Sequence, residues 1–156
     1  MSESTRKPDF IFETSWEICN KVGGINTVVS TKVPSLKDEF DDNLIFIGPD
    51  IWREASQNVD FEEDPNLFKT WRETAYDDGL RLRIGHWNIA RKPIVILVDY
   101  TPFISQKNEI FKHFWETHRL DSLKGSHDYV EAAMFGYAAG KTIESFWNYH
   151  LSPREK

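Results

Sequence analysis

Asp9-Phe10-Ile11-Phe12-Glu13-Thr14, then Ser15 to Asn20, Lys21-Val22-Gly23-Gly24 and Ile25 to Val33 form the stretch from which the fold is read. The apolar run after a polar start predicts a short strand entering a sheet. Two adjacent glycines then break the regular pattern. Ile25, Val28, Val29 and Val33 follow at helical spacing, which predicts a helix over 25–32 that packs onto the same sheet. Pro34 lacks an amide hydrogen and is expected to end or interrupt that helix. Strand, tight loop, helix is the opening unit of an α/β domain.

Further along, Leu44-Ile45-Phe46-Ile47 before Gly48-Pro49, and Ile94 to Val98 after Pro93, are continuous apolar runs. Such runs suit strands covered on both faces and closed by turn residues. Leu80 to His86 alternates apolar and basic residues after Asp78-Gly79, so an exposed strand near a sheet edge is expected there. The stretches 67–76, 105–118 and 128–149 read as helices, the last apolar on two sides and therefore substantially buried. Ile51 to Pro65 is acidic and irregular. Strands separated by helices imply an α/β fold with a mostly parallel, doubly wound sheet. One such lobe is expected over 9–150, after a disordered polar start at 1–8. The chain stops at 151–156, where the alternation would deliver another strand, so the lobe is expected to be incomplete and the tail truncated. An incomplete sheet exposes an edge, and self-association into a homo-oligomer is expected from it.

The 156 residues carry a net charge of −6, with Lys and Arg scattered, which gives no electrostatic footprint for nucleic acid. No stretch approaches the roughly 18 apolar residues needed to span a bilayer, so no membrane partner is expected. The single cysteine, Cys19, has no internal disulfide partner, which suits a reducing compartment; a cytoplasmic location is expected.

The loop at Lys21-Val22-Gly23-Gly24 carries the chemistry. Backbone amides at a helix N-terminus favour an anion, glycines let it come close, and Lys21 supplies a cation for a phosphate oxygen. A tight turn into the helix explains the same glycines without any ligand. The dinucleotide fingerprint Gly-x-Gly-x-x-Gly is absent, and Gly136-Tyr137-Ala138-Ala139-Gly140-Lys141-Thr142 has three residues between its glycines where a Walker loop needs four. That segment also lies within a helix, where small residues are expected to let a neighbour approach closely. His113 and His118 are five apart, off the spacing that aligns two ligands on one helix face, so no metal site is expected. Cys19 has no His partner in the motif and is not a nucleophile candidate.

The run Phe12-Glu13-Thr14-Ser15-Trp16-Glu17-Ile18-Cys19-Asn20-Lys21-Val22-Gly23-Gly24-Ile25-Asn26-Thr27-Val28 closely resembles the opening of the eukaryotic-type glycogen synthases. Leu44 to Pro49, Gly85-His86-Trp87-Asn88-Ile89, Pro93 to Leu97, and His127-Asp128 with Gly136-Tyr137 follow in the family's order. The resemblance implies the first Rossmann-like lobe of a GT-B glycosyltransferase, here in part. It implies retaining transfer of glucose from a nucleotide donor, UDP-glucose ahead of ADP-glucose, to the non-reducing end of an α-1,4-glucan such as glycogen, without cofactor or metal. Lys21, Gly23 and Gly24 match the loop that contacts donor phosphates, and Asp128 matches an aspartate on the glucan side of the cleft, the candidate catalytic residue. An N-cap role fits Asp128 equally. Glu13 and Glu17 match acidic positions around the loop, where loop bracing explains them as well; His86 and Trp87 are candidates to line the sugar site or to be buried at a strand end. The remaining cleft residues of the family belong to segments after Lys156, so this chain alone is expected to be inactive. The alternative from another class is a non-catalytic nucleotide- or carbohydrate-binding module.

Overall fold

The computed structural model describes residues 8–51, 58–120 and 126–151. The expected disordered start and truncated tail therefore lie outside the described residues, apart from Pro8 and Leu151. Strands β1 (Ile11–Thr14), β2 (Leu44–Pro49), β3 (Phe61–Glu63), β4 (Arg81–Trp87) and β5 (Ile94–Asp99) form one open sheet in the order β1-β2-β5-β4-β3. The helices are α1 (Gly24–Thr31), α2 (Val33–Phe40), α3 (Lys69–Asp77), α4 (Thr101–Ile104), α5 (Lys107–His118) and α6 (His127–Phe146), which runs on into a π-helical turn at Trp147–Leu151.

The sheet is mixed, where a mostly parallel one was expected. β1, β2 and β5 run parallel, but β4 is antiparallel to β5, and β3 to β4. Only residues 88–93 join β4 to β5, and a parallel crossover needs a dozen or more. They turn back instead, with positive φ at Arg91 and Lys92 and the Trp87 amide donating to the Pro93 carbonyl at 2.9 Å. β3 falls inside the stretch read as irregular. Three residues long, it covers only the Gly85–Trp87 end of β4, so the expected edge character of β4 survives at Arg81–Arg83.

Alternation of side chains assigns two cores to the two faces. Ile45, Ile47, Ile84, Ile94, Ile96 and Val98 pack under α3, α5 and α6 through Trp71, Ala75, Ile110, Phe111, Met134 and Phe146. Leu44, Phe46, Val95 and Leu97 face α1 and α2 through Val29, Val33 and Phe40. Each such aliphatic side chain stabilises the fold by roughly 1.5–3 kcal/mol through burial. Pro34 does interrupt the first helix, and it also opens the next: Lys32 closes α1 and α2 begins at Val33 with the proline in its first turn, where the missing N–H costs nothing. Gly136 and Gly140 do not admit a close neighbour, since both are exposed and a Cβ at either would meet nothing within 4 Å; the buried small residues of α6 are Ala138 and Ala139. Among the described residues no helix is long and apolar enough to cross a membrane.

In the π-helical turn the His150 ring lies 4.2 Å from that of Phe146 and edge-on to Phe68 and Trp71. Partial burial holds its pKa below the ordinary histidine value, opposed by a hydrogen bond with the Phe146 backbone. The unfolded chain thus takes up the proton first, and stability contributed here is present above about pH 6.5 and lost as pH falls toward the lower folded pKa. Thermal melts between pH 8 and 5 are expected to show this decline, and His150→Gln to flatten it.

Candidate functional site

β1 ends at Thr14, and the Ser15 amide still donates to the Ile47 carbonyl at 3.1 Å. The chain then leaves the sheet through two tight turns, with Ile18 N–H bonded to the Ser15 carbonyl and Asn20 N–H to that of Glu17. Ile18 is fully buried and rests on Gly48 of β2, where a Cβ would stand 2.8 Å from both the Ile18 Cβ and its carbonyl oxygen. Gly48 and Pro49 are thus ladder residues of β2, paired with Leu97 and Val98, and not the turn their composition implies. Cys19 is buried with φ +56, its carbonyl accepting from the Asn58 side-chain Nδ2 at 3.1 Å and its thiol directed at the Asp60 carbonyl. Burial, and then the charge of Asp60, push the thiol pKa far up, so Cys19 is held as an inert thiol.

Glu17 is only 6% exposed, and its Oε1 accepts the backbone amides of Val22, at 3.1 Å, and Gly23. The Asn26 side chain donates to the Glu17 carbonyl at 2.8 Å, tying the first turn of α1 to the same residue. Glu13 pairs with Lys32 at the far end of α1. Glu17 therefore braces the loop, while Glu13 ties the end of β1 to the carboxyl end of α1. Above them Lys21, Val22, Gly23, Gly24 and Ile25 are exposed, and Gly23 at the α1 N-cap offers no side-chain cap. Helix geometry leaves the Gly24, Ile25 and Asn26 amides without intrahelical partners. Neither glycine of the pair has a positive φ. A Cβ at Gly24 would meet nothing within 4 Å, and one at Gly23 only Glu17 Oε1 at 3.7 Å. Nothing in the fold requires glycine at either position.

At the carboxyl ends of β1, β2 and β5, with Trp16 of the segment that leads into this loop as one wall, lies an open cavity of about 790 Å³. Trp16 walls it after β1, Asp50 and Ile51 after β2, Asp99, Tyr100 and Thr101 after β5, with Arg83 from β4 and Glu131 from α6. A smaller hollow of about 230 Å³ between Trp16, Glu131 and Asp128 continues it. Arg83 and Asp50 form a two-pronged ion pair, Nε to Oδ2 at 2.8 Å and Nη2 to Oδ1, which raises the arginine pKa first through that hydrogen bond. The Tyr100 hydroxyl donates to Glu131 Oε1 at 3.3 Å, and burial followed by the Glu131 charge pushes its pKa up to about 12. Asp99 accepts from the Thr101 amide and hydroxyl. An aromatic wall at Trp16, backed by the buried Tyr100 ring, with several carboxylates and one guanidinium suits a polyhydroxylated ligand that stacks an apolar face and hydrogen-bonds around its rim.

The structure brings Asp128 into this region but not as a cap: Ser126 is the N-cap of α6, accepting from the Tyr129 amide at 3.3 Å, and Asp128 is an exposed first-turn residue. Of the two roles left open for Trp87, the structure shows burial in the core. Trp87 is 1% exposed and edge-on to Phe46, and with His86 it pairs near Ile94, the amino end of β5, away from the carboxyl ends that frame the cavity. His113 and His118 border a groove between α5 and α6, and no group of three His, Cys, Asp or Glu suited to a metal occurs among the described residues. Asp50, Arg83, Asp99, Tyr100 and Glu131 were not singled out from sequence. A signal for three of them was present, since Asp50 and Asp99-Tyr100 directly follow apolar strand runs, the place where parallel sheets present ligand-binding groups.

Residues 13–155 match the family model described as glycogen synthase. The chain is 33% identical over 107 residues to "Glycogen [starch] synthase, liver" of Mus musculus, covering 68% of this chain and 15% of that protein. It is 29% identical over 152 residues to "Glycogen [starch] synthase" of Neurospora crassa, covering 94% and 22%. The Dictyostelium discoideum protein of the same name is 26% identical over 146 residues, covering 87% and 15%. The chain thus spans less than a quarter of the length of these relatives. With nearly its whole length matched, and Trp16 of its most distinctive stretch walling the cavity, the chain belongs to the glycogen synthase family.

Proposed function

We propose that this chain forms part of the first, Rossmann-like lobe of a GT-B glucosyltransferase that moves glucose from a nucleotide donor to the non-reducing end of an α-1,4-glucan with retention. The observation that carries the reading is the glycine pair at 23–24, which neither backbone conformation nor packing explains. A backbone surface cleared of side chains, at an uncapped helix N-terminus with Lys21 beside it, suits the close approach of a diphosphate. In the proposed reaction Lys21 and the Gly24–Asn26 amides stabilise charge on the departing diphosphate, with no metal ion or cofactor. The acceptor glucan takes the cavity walled by Trp16 and Tyr100, with Asp128 and Glu131 on its α6 side. UDP-glucose is the proposed donor ahead of ADP-glucose, and the cytoplasm the proposed compartment.

The test is glucosyl transfer from UDP-glucose and from ADP-glucose to glycogen by the complete gene product. Lys21→Ala is expected to lower kcat/KM by roughly ten- to a hundredfold, the effect of removing one charged donor from a developing anion, at unchanged melting temperature. A folded product inactive with both donors overturns the transferase reading and favours a non-catalytic binding module.

A further inference from the structure

We propose that Glu17 is a positioning residue for the donor loop, a strut beneath it that decides which backbone amides a ligand can reach; the proposal rests on the reading of that loop as a diphosphate site. Glu17 lies within the protein, and its Oε1 takes the amides of both Val22 and Gly23. These are the last two donors before α1 begins. A carboxylate there is a charge-assisted acceptor for two consecutive N–H groups, which pins the chain reversal from one side. With those donors turned inward, the open ones are the next three, at Gly24, Ile25 and Asn26. The strut is itself held at both ends of its backbone: Ser15 Oγ accepts the Glu17 amide at 3.2 Å, and Asn26 Nδ2 donates to the Glu17 carbonyl at 2.8 Å. A Cβ on Gly23 would stand 3.7 Å from Glu17 Oε1, in ordinary contact, so the carboxylate lies directly against the loop while Gly23 itself stays exposed. Lys21 stays on the exposed side and makes no pair with Glu17 among the described residues.

A strut and an internal plug make opposite predictions. A plug, a carboxylate occupying the anion's own donors, is displaced by ligand, so its removal tightens binding. A strut leaves binding weaker when it is lost. The experiment uses the complete gene product as wild type, Glu17→Gln and Glu17→Ala, titrated with uridine diphosphate and adenosine diphosphate by calorimetry, with amide exchange at Val22 and Gly23 and transfer kinetics alongside. Expected for Glu17→Ala is at least about tenfold weaker diphosphate binding, loss of exchange protection at those two amides, and a higher KM for the nucleotide sugar with the KM for glycogen unchanged. Glu17→Gln, which keeps the side-chain volume and a neutral acceptor, is expected to restore folding and part of the affinity. Wild-type binding and unchanged exchange in both variants overturn the proposal, as does tighter binding in either. If wild type binds neither diphosphate, the loop reading fails and the proposal with it, whereas the exchange data alone still report whether Glu17 holds the two amides.

Discussion

Gly48→Ala is expected to lower the free energy of unfolding by about 3 kcal/mol, the upper range for an overpacked core, and to weaken nucleotide-sugar binding in whatever fraction still folds. The cause is local. Gly48 is paired with Leu97 of β5, and the added methyl would sit 2.8 Å from the Ile18 Cβ and from the Ile18 carbonyl oxygen. The side chain alone cannot give way, because the oxygen belongs to the backbone. The turn over Ser15–Asn20 must lift, carrying with it Glu17, the residue beneath the glycine loop. Denaturant unfolding measures the first effect and diphosphate calorimetry the second. Substituting Gly24 instead is expected to leave stability within about 1 kcal/mol of wild type, since a methyl there meets open space. A small stability change at Gly48 would show that the loop does not depend on contact with β2.

Gly85→Ala is expected to cost about as much, for a different reason. In β4 its place for a Cβ is already taken by the Glu62 carbonyl and the Glu63 Cα of β3, which crosses at backbone distance. The new methyl must push β3 off the sheet edge. β3 continues directly from Asn58 and Asp60, and Asn58 holds the Cys19 carbonyl. The variant is therefore expected to loosen the donor loop from its second side as well. Amide exchange checks this, with protection falling at Glu62–Asp64 and again around Cys19 while Ile94–Val98 stay protected. Loss confined to β3 would show that the two segments are not coupled.

The elements that were legible in sequence share one property, an apolar pattern strong enough to fix strand or helix locally. β2, β5 and the long helix from Asp128 read correctly because continuous or 3.6-periodic burial leaves its trace in residue type; β1 and the helix after the glycines were also placed correctly, but of the four spaced residues expected to pack that helix on the sheet only Val29 and Val33 are buried, while Ile25 and Val28 are exposed. β3 left no such trace. Phe61-Glu62-Glu63 is short and acidic, and it is a strand because Gly85 lets its backbone lie against β4. The direction of β4 was legible in principle, since the six residues at 88–93 are too few for a parallel crossover, but a rule of alternating strands and helices overrode that count.

For the site, the sequence alone determined the loop: its glycines, its lysine, its two acids, and its place between the first strand and first helix, all contiguous in the chain. It could not determine what stands opposite. Trp16, Asp50, Arg83, Asp99, Tyr100 and Glu131 come from five separate segments, and only the sheet order β1-β2-β5-β4 brings their ends to one rim. Tertiary structure also decided between roles that the residue type left open. Trp87 and the proposed sugar-facing Trp16 are the same amino acid, and burial against Phe46 in the one case and a wall on open space in the other separate them. Glu17 and Glu131 are likewise both glutamates, one turned beneath a loop to hold amides and one turned into the cavity. Pairing energies between distant segments choose those orientations, and no local pattern in the chain records them.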